Sequence, residues 1–207
     1  MYMPASFVES RPALVQQLMR ENGFATVVTT VDGVPFASHV PVLIDAAPDG
    51  GGLKIRGHVA RANPHWRHLD NGGQTLAIFQ GPHSYVSPAW YAGARSVPTW
   101  NYTVVHASGR ATLLDRAGLR AHLKELVDVN ERAFAAPWRL ESLPGDFVDG
   151  MMGGIVGFEI SVERIEANLK LSQNRSPEDQ RRVRDRLAAS ADPDARGVAA
   201  WMDLLGR

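Results

Sequence analysis

Phe79 to Gly109 reads FQGPHSYVSPAWYAGARSVPTWNYTVVHASG. The flanks of this stretch, Thr75 to Gln80 and Thr99 to Leu114, are rich in β-branched and aromatic residues and read as strands. Pro82, Pro88 and Pro98 keep the middle from being helical, because proline lacks the N–H that a helix interior needs. Two strands therefore frame an irregular loop. Within it or at its edges stand His83, His106, Tyr85, Tyr91, Tyr102, Trp90 and Trp100, with the amides Gln80 and Asn101 beside them. Aromatics and amides at strand ends suit a flat, partly polar ring ligand. The same aromatics also suit the filling of a barrel core.

The chain around this stretch is mostly short strands. Ser10 is placed to cap a helix with Pro12 in its first turn, and Asn22-Gly23 ends that run. Phe24 to Val31 is β-rich. Asp32-Gly33 follows as a two-residue hairpin signal, and Val34 to Asp45 is the return strand. A turn is expected over Ala46 to Gly52, then a third strand over Leu53 to Val59. Asn63-Pro64 opens a short helix, and Gly72-Gly73 breaks the chain before the fourth strand. Gly109 marks a bulge in the long strand. Asp115 caps a helix with Leu119, Leu123 and Leu126 on one face, and Ser142 to Gly150 reads as a short helix or turn. Ile155 to Ile165 is the last strand. Ser176-Pro177-Glu178-Asp179 and Asp192-Pro193 start two further helices. The expected fold is mainly β with peripheral helices, an antiparallel barrel of about six strands over residues 1–175. A two-helix tail over 176–207 packs on the same domain.

Composition narrows the function classes. Twenty-two basic residues balance twenty-two acidic ones in 207 residues, which disfavours a protein whose main task is nonspecific grip on DNA phosphate. The absence of cysteine excludes a disulfide, a thiolate nucleophile and a cysteine metal site. The N-terminal residues lack a signal-peptide pattern, and no window holds the roughly 18 apolar residues of a membrane span. The expected location is the cytoplasm.

Three constellations could carry chemistry. Gly57 to Pro64 runs from strand to helix start with His58, Arg61 and Asn63, where backbone N–H groups and a guanidinium could meet a phosphate. It reads equally as an ordinary turn with a surface arginine. Lys170-Leu171-Ser172-Gln173-Asn174-Arg175 follows a strand and offers two cations and three hydrogen-bonding side chains to a phosphate or a flavin ring. It also reads as a solvated linker. Pro177 opens a helix rich in arginine, whose interleaved acids point to a solvated, ion-paired face. His65 and His68 share a helical spacing, but no carboxylate stands at a ligand distance in sequence, so no metal is expected.

Taken together, MYMP at the start, GHVARANPHW (57–66), FQGPHSYVSPAWY (79–91), VPTWNY (97–102), IVGFEI (155–160) and KLSQNR (170–175) resemble the PaiB-type FMN-binding negative transcriptional regulators. The resemblance runs nearly end to end, with the motifs in family order. It implies a split β-barrel related to pyridoxamine-phosphate oxidases, a homodimer, and FMN in clefts between subunits. It further implies that Ser38 and His39 run along the flavin ring and that His58, Arg61 and Asn63 lie near its phosphate or ribityl chain. His83 and Tyr85 follow the fourth strand. Trp100 and Asn101 come from the partner subunit, while Lys170, Gln173, Asn174 and Arg175 close the site. The implied role is negative transcriptional regulation or redox and metabolic sensing, with direct DNA contact unsupported by the net charge. A flavin-dependent oxidoreductase acting on a small molecule, and a haem-binding relative of the same barrel, are the alternatives.

Overall fold

The computed structural model describes residues 1–46, 52–93 and 95–206. Its strands are β1 (Phe24–Val31), β2 (Val34–Ala46), β3 (Leu53–Ala60), β4 (Gln74–Val86), β5 (Thr99–Leu113) and β6 (Ile155–Lys170). They close into a barrel in the order β1-β2-β3-β6-β5-β4. The β1–β2, β2–β3, β3–β6 and β1–β4 pairings are antiparallel. The helices are α1 (Pro12–Glu21), α2 (His65–Leu69), α3 (Arg116–Glu131), α4 (Gly145–Met152), α5 (Pro177–Ala188) and α6 (Pro193–Leu204). This is the expected mainly antiparallel barrel with peripheral helices.

Local chemistry explains most element ends. The β1–β2 hairpin turns through Asp32 and Gly33 with φ of 50° and 80°. Two consecutive positive φ values are what a type I′ turn needs, and its twist matches that of the strands. Asp115 Oδ1 accepts the Gly118 N–H at 2.7 Å and starts α3. Ser176 Oγ does the same for Asp179 N–H at the start of α5, as does Asp192 for Asp194 N–H in α6. Along β5 the alternation is clean: Asn101, Thr103, Val105, Ala107 and Ala111 are buried.

Three local expectations change. Ser10 does not cap α1; Arg11 is the N-cap residue, and its N–H is taken by Glu9 Oε1 instead. Strand β4 does not stop at Gln80 but continues through Pro82 to Val86. Pro82 costs only one N–H donor, and its carbonyl still accepts from Thr103 Oγ1 on β5. Strand β6 runs five residues past Ile165, so Lys170 ends a strand rather than opening a loop. Most of the turn expected over 46–52 lies outside the described residues.

The chain divides into two compact units. One comprises Met1–Asn22, Phe79–His106 and Glu166–Arg207; the other comprises Gly23–Ile78 and Ala107–Ile165. In the first, Leu18, Met19, Phe79, Leu169, Leu171, Leu187 and Met202 are fully buried. In the second, Ile55, Leu69, Phe158 and Ile160 are fully buried. There Leu119, Val148 and Met152 also form a cluster between α3 and α4, with Leu114, Leu123 and Ile155 packed against it.

Gly109 marks a close approach of backbones. A Cβ on it would collide with the carbonyl of Ser161 on β6. The obstacle is main chain, which cannot rotate away as a side chain can. Gly109→Ala is therefore expected to lower stability by at least about 2 kcal/mol through overpacking. A fall in the urea midpoint at constant slope checks this; an unchanged midpoint would mean that the strands separate here at no cost.

Candidate functional site

In the second unit, β1, β2 and the start of α2 build a buried polar chain. Ser38 stands on β2 and its Oγ accepts from Asn63 Nδ2 at 2.9 Å. The same Oγ lies 2.8 Å from His65 Nδ1, and His65 Nε2 lies 3.0 Å from Thr29 Oγ1. Asn63 Oδ1 takes the His65 backbone N–H. The imidazole is fully buried, and burial, then neighbouring His68, push its pKa down to about 4. A neutral ring has one donor and one acceptor nitrogen, and the two hydroxyls supply the complements. Ser38 and Asn63 are thus brought together, joined by Thr29, which the sequence did not single out, and by His65, which it raised only beside His68 as a metal pair. His39 alternates onto the opposite, exposed face of β2, 2.9 Å from Thr26 Oγ1.

The other residues of the Gly57–Pro64 stretch point elsewhere. His58 Nδ1 sits 3.2 Å from Nε2 of His122 on α3. His122 is fully buried with Nδ1 unpartnered, and its pKa is pushed down to about 4 by burial, then by His58 and Arg56. Burial lowers His58 as well. Arg61 donates through Nε to Gly153 O at 2.7 Å and through Nη2 to Ile155 O at 3.2 Å. Its guanidinium secures the entry to β6. Helix α2 has only five residues, and the Asn63 carboxamide already occupies the His65 N–H at its start.

In the first unit, the organising stretch and the Lys170–Arg175 turn converge. Tyr91, Thr99, Asn101, Lys170, Ser172, Asn174 and Arg175 line a cavity of about 110 Å³. Asn101 is fully buried and donates Nδ2 to Ser172 Oγ at 2.9 Å, and the serine hydroxyl returns a bond to Oδ1 at 3.3 Å. Ser172 adopts φ 63°, the left-handed region that a non-glycine residue seldom visits. Lys170 Nζ donates to Thr99 Oγ1 at 2.5 Å. Its pKa is lowered by burial and then by Arg175. The Arg175 guanidinium lies 4.4 Å from the Tyr91 ring centre. Gln173 turns inward on its own loop, with Nε2 donating to Leu169 O and Oε1 accepting from Leu171 N–H.

On the outer side of the same strands lies an aromatic face. Trp100 is 52% exposed and Tyr85 45% exposed, with ring centres 6.1 Å apart, edge to face. His83 stands 6.1 Å from the Trp100 ring and 4.0 Å from Asp194 Oδ2 at the start of α6. The candidate residues thus fall into separate groups: Ser38 with Asn63; Asn101, Lys170, Asn174 and Arg175; and His83, Tyr85 and Trp100. Tyr91, Thr99 and Ser172 join the second group. The one signal for them was the polar, aromatic composition of the stretches that carry them.

Two outcomes follow from the buried groups. Ser38→Ala leaves the buried His65 Nδ1 without its hydroxyl and is expected to cost about 1–3 kcal/mol, read as a lower unfolding midpoint. The His122 ring binds its proton more readily unfolded, near 6.5, than folded, near 4. The stability tied to its neutral form is whole above about pH 6.5 and is lost as pH falls toward 4. Melting temperature should therefore drop over that window, and drop less steeply in His122→Leu. Parallel pH profiles for the two proteins would contradict this.

The family described as "Putative FMN-binding domain" matches residues 1–164. The "Protease synthase and sporulation protein PAI 2" of Bacillus subtilis (strain 168) is 37% identical over 203 residues, covering 98% of this chain and 97% of its own. An uncharacterized protein of Emericella nidulans is 27% identical, covering 84% of each chain. Among solved structures, the FAD and heme binding protein from Mycobacterium smegmatis aligns with a TM-score of 0.61 at 14% identity, over 79% of this chain and 73% of its own. The flavocytochrome Anf3 from Azotobacter vinelandii aligns at 0.60 and 16% identity, over 79% and 69%. At such identities these two show a shared barrel and nothing further. With the match spanning residues 1–164 and the PAI 2 identity running nearly the whole length, the chain belongs to the FMN-binding domain family of PaiB-type proteins.

Proposed function

We propose that this chain binds FMN as a pair of identical copies and serves as a flavin-dependent regulatory protein. The observation that carries the reading is the family match over residues 1–164, whose cofactor is FMN. The residues present fit that group. FMN needs a surface for a flat ring, hydrogen-bonding partners for its polar edge, and positive charge for its phosphate. Tyr85 and Trp100 offer exposed rings, Asn174 offers an exposed amide, and Lys170 and Arg175 offer charge. Ser38, His39 and Asn63, which the family resemblance sets along the flavin, belong to the other unit, where Ser38 and Asn63 are spent on His65 and His39 is exposed on β2. Gln173 supports the site by holding the Lys170–Arg175 turn, whereas His58 and Arg61 brace α3 and the entry to β6 in the other unit. When bound, FMN supplies reversible electron uptake; the chain supplies orientation and charge.

Size supports a site shared between copies. A cavity of about 110 Å³ is well below the ~300 Å³ at which pockets for ligands of this class begin. The exposed Tyr85, Val97 and Trp100 give a second copy something to cover.

The regulatory part rests on the likeness to PAI 2, whose name ties that protein to protease synthesis and sporulation. Action through the flavin suits this chain better than direct grip on DNA. Its net charge is zero, and arginines of α5 are engaged, Arg182 with Glu178 at 3.6 Å and Arg184 with Asp203 at 3.6 Å. Purified protein is expected to quench FMN fluorescence, with half-maximal binding weakened about fivefold in Trp100→Ala, the worth of one aromatic contact near 1 kcal/mol. A wild-type protein that leaves FMN fluorescence unchanged would sink the flavin reading.

A further inference from the structure

The Lys170–Arg175 cavity is assembled by a segment that lies beyond the family match, which ends at residue 164. Three features of it go together. Its lining carries two cations, Lys170 and Arg175, and no carboxylate among the described residues. Like charges held side by side without a counter-charge are unfavourable unless an anion joins them. Tyr91 also lines it, and this residue is 5% exposed with its hydroxyl buried and without a hydrogen-bond partner. A buried donor left unpaired costs free energy that a ligand acceptor would recover. The hydroxyl of Thr99 and the amide of Asn174 complete a lining of donors. The volume, about 110 Å³, suits one compact charged group and excludes a flavin ring.

The backbone is built to hold these groups. Ser172 stands in the left-handed region, fixed there by the buried Asn101 carboxamide. Arg175 N–H bonds back to Ser172 O at 2.9 Å, so Lys170 and Arg175 are held on either side of one short turn. The Tyr91 segment is tied from outside, because Ala92 N–H donates to Asp179 Oδ1 on α5 at 2.8 Å. Backbone strain of this kind collects where a ligand is clamped.

We propose that the cavity between Tyr91, Thr99, Lys170, Asn174 and Arg175 is an oxyanion site that takes a phosphate-sized group. Two sources have the same chemistry: the phosphate monoester of FMN, and free inorganic phosphate or a small phosphorylated metabolite. The site itself stands on the cavity; only the first source rests on the flavin reading.

The test uses the full chain freed of flavin. Inorganic phosphate is titrated by calorimetry and by its effect on melting temperature. Wild type is expected to bind phosphate and be stabilised by it. Affinity should fall about tenfold in Lys170→Met and in Arg175→Gln, as the loss of a charge-assisted bond implies, and severalfold in Tyr91→Phe. Tyr91→Phe keeps the ring and removes only an unpaired hydroxyl, so it folds as wild type does. Lys124→Met, at a surface lysine outside the cavity, keeps full affinity.

The second arm compares FMN with riboflavin. If the cofactor's own phosphate is the occupant, FMN binds at least about tenfold more tightly than riboflavin. Phosphate then competes with FMN, and Lys170→Met abolishes the preference. If the occupant is free, FMN and riboflavin bind alike, and phosphate binds in the presence of either. Both results carry the proposal. It is overturned if wild type binds no phosphate and its ranking of FMN against riboflavin is untouched by Lys170→Met. Phosphate binding by a protein that takes up neither flavin would remove the flavin reading and leave the oxyanion site in place.

Discussion

The geometry of the first unit hangs on one buried hydrogen-bonded couple, Asn101 with Ser172. The carboxamide and the hydroxyl bond to one another in both directions, 71 residues apart in sequence, with both side chains buried. Removing either partner would strand the other at a cost of about 1–3 kcal/mol. That couple holds Ser172 at φ 63°, a conformation that alone costs an L-residue roughly 1–2 kcal/mol. The turn made there sets Lys170 at the end of β6 and Arg175 at the approach to α5. Without the couple nothing buried would hold Ser172 in that conformation, and the path from Lys170 to Arg175 would lose its anchor.

A contrast between the two units decides which polar residues remain available for ligands. In the second unit the polar groups are largely consumed internally. Arg61 serves two backbone carbonyls, Asn63 and Ser38 serve His65, and Arg56 serves Asp45 and Glu125. In the first unit the charges of Lys170 and Arg175 have no carboxylate in their cavity, and the Tyr91 hydroxyl has no partner. A guanidinium that looks like a phosphate ligand in sequence can thus be a structural brace, and only the location of its acceptors tells the two apart.

Much of the fold was legible because it is written in short-range chemistry. Asp32-Gly33, Asp115, Ser176 and Asp192 do locally what their side chains favour, and the structure keeps all four. What local reading missed depends on distant neighbours. The strand was expected to stop at Gln80, yet β4 continues through Pro82, whose carbonyl still accepts from Thr103 Oγ1 on β5. Ser10 looked like a cap, but the helix starts one residue later, with Arg11 at the N-cap position. The partnership of His65 with Thr29 was missed because it spans 36 residues. Two traces of it were present: an asparagine two residues before the histidine, and a threonine continuing the inward series Ala25 and Val27. Of the candidate site, the residue types around Trp100 and Lys170 were readable; their sorting into an inner cavity and an outer aromatic face was not, because that follows from strand register.

The first unit is stitched from three separated stretches, with its cavity drawing on residues 91–101 and 170–175. Translation delivers these pieces at different times. A nascent chain that has emerged as far as α4 already owns the hairpin, Asn101 and Tyr91, but has nothing with which to fasten them. Until residue 172 has emerged, Asn101 lacks its hydrogen-bond partner, and until residue 179 has emerged the Tyr91 segment lacks its tie to α5. A chain that lacks residues 170–175 therefore cannot form the cavity, however much of its barrel has already folded.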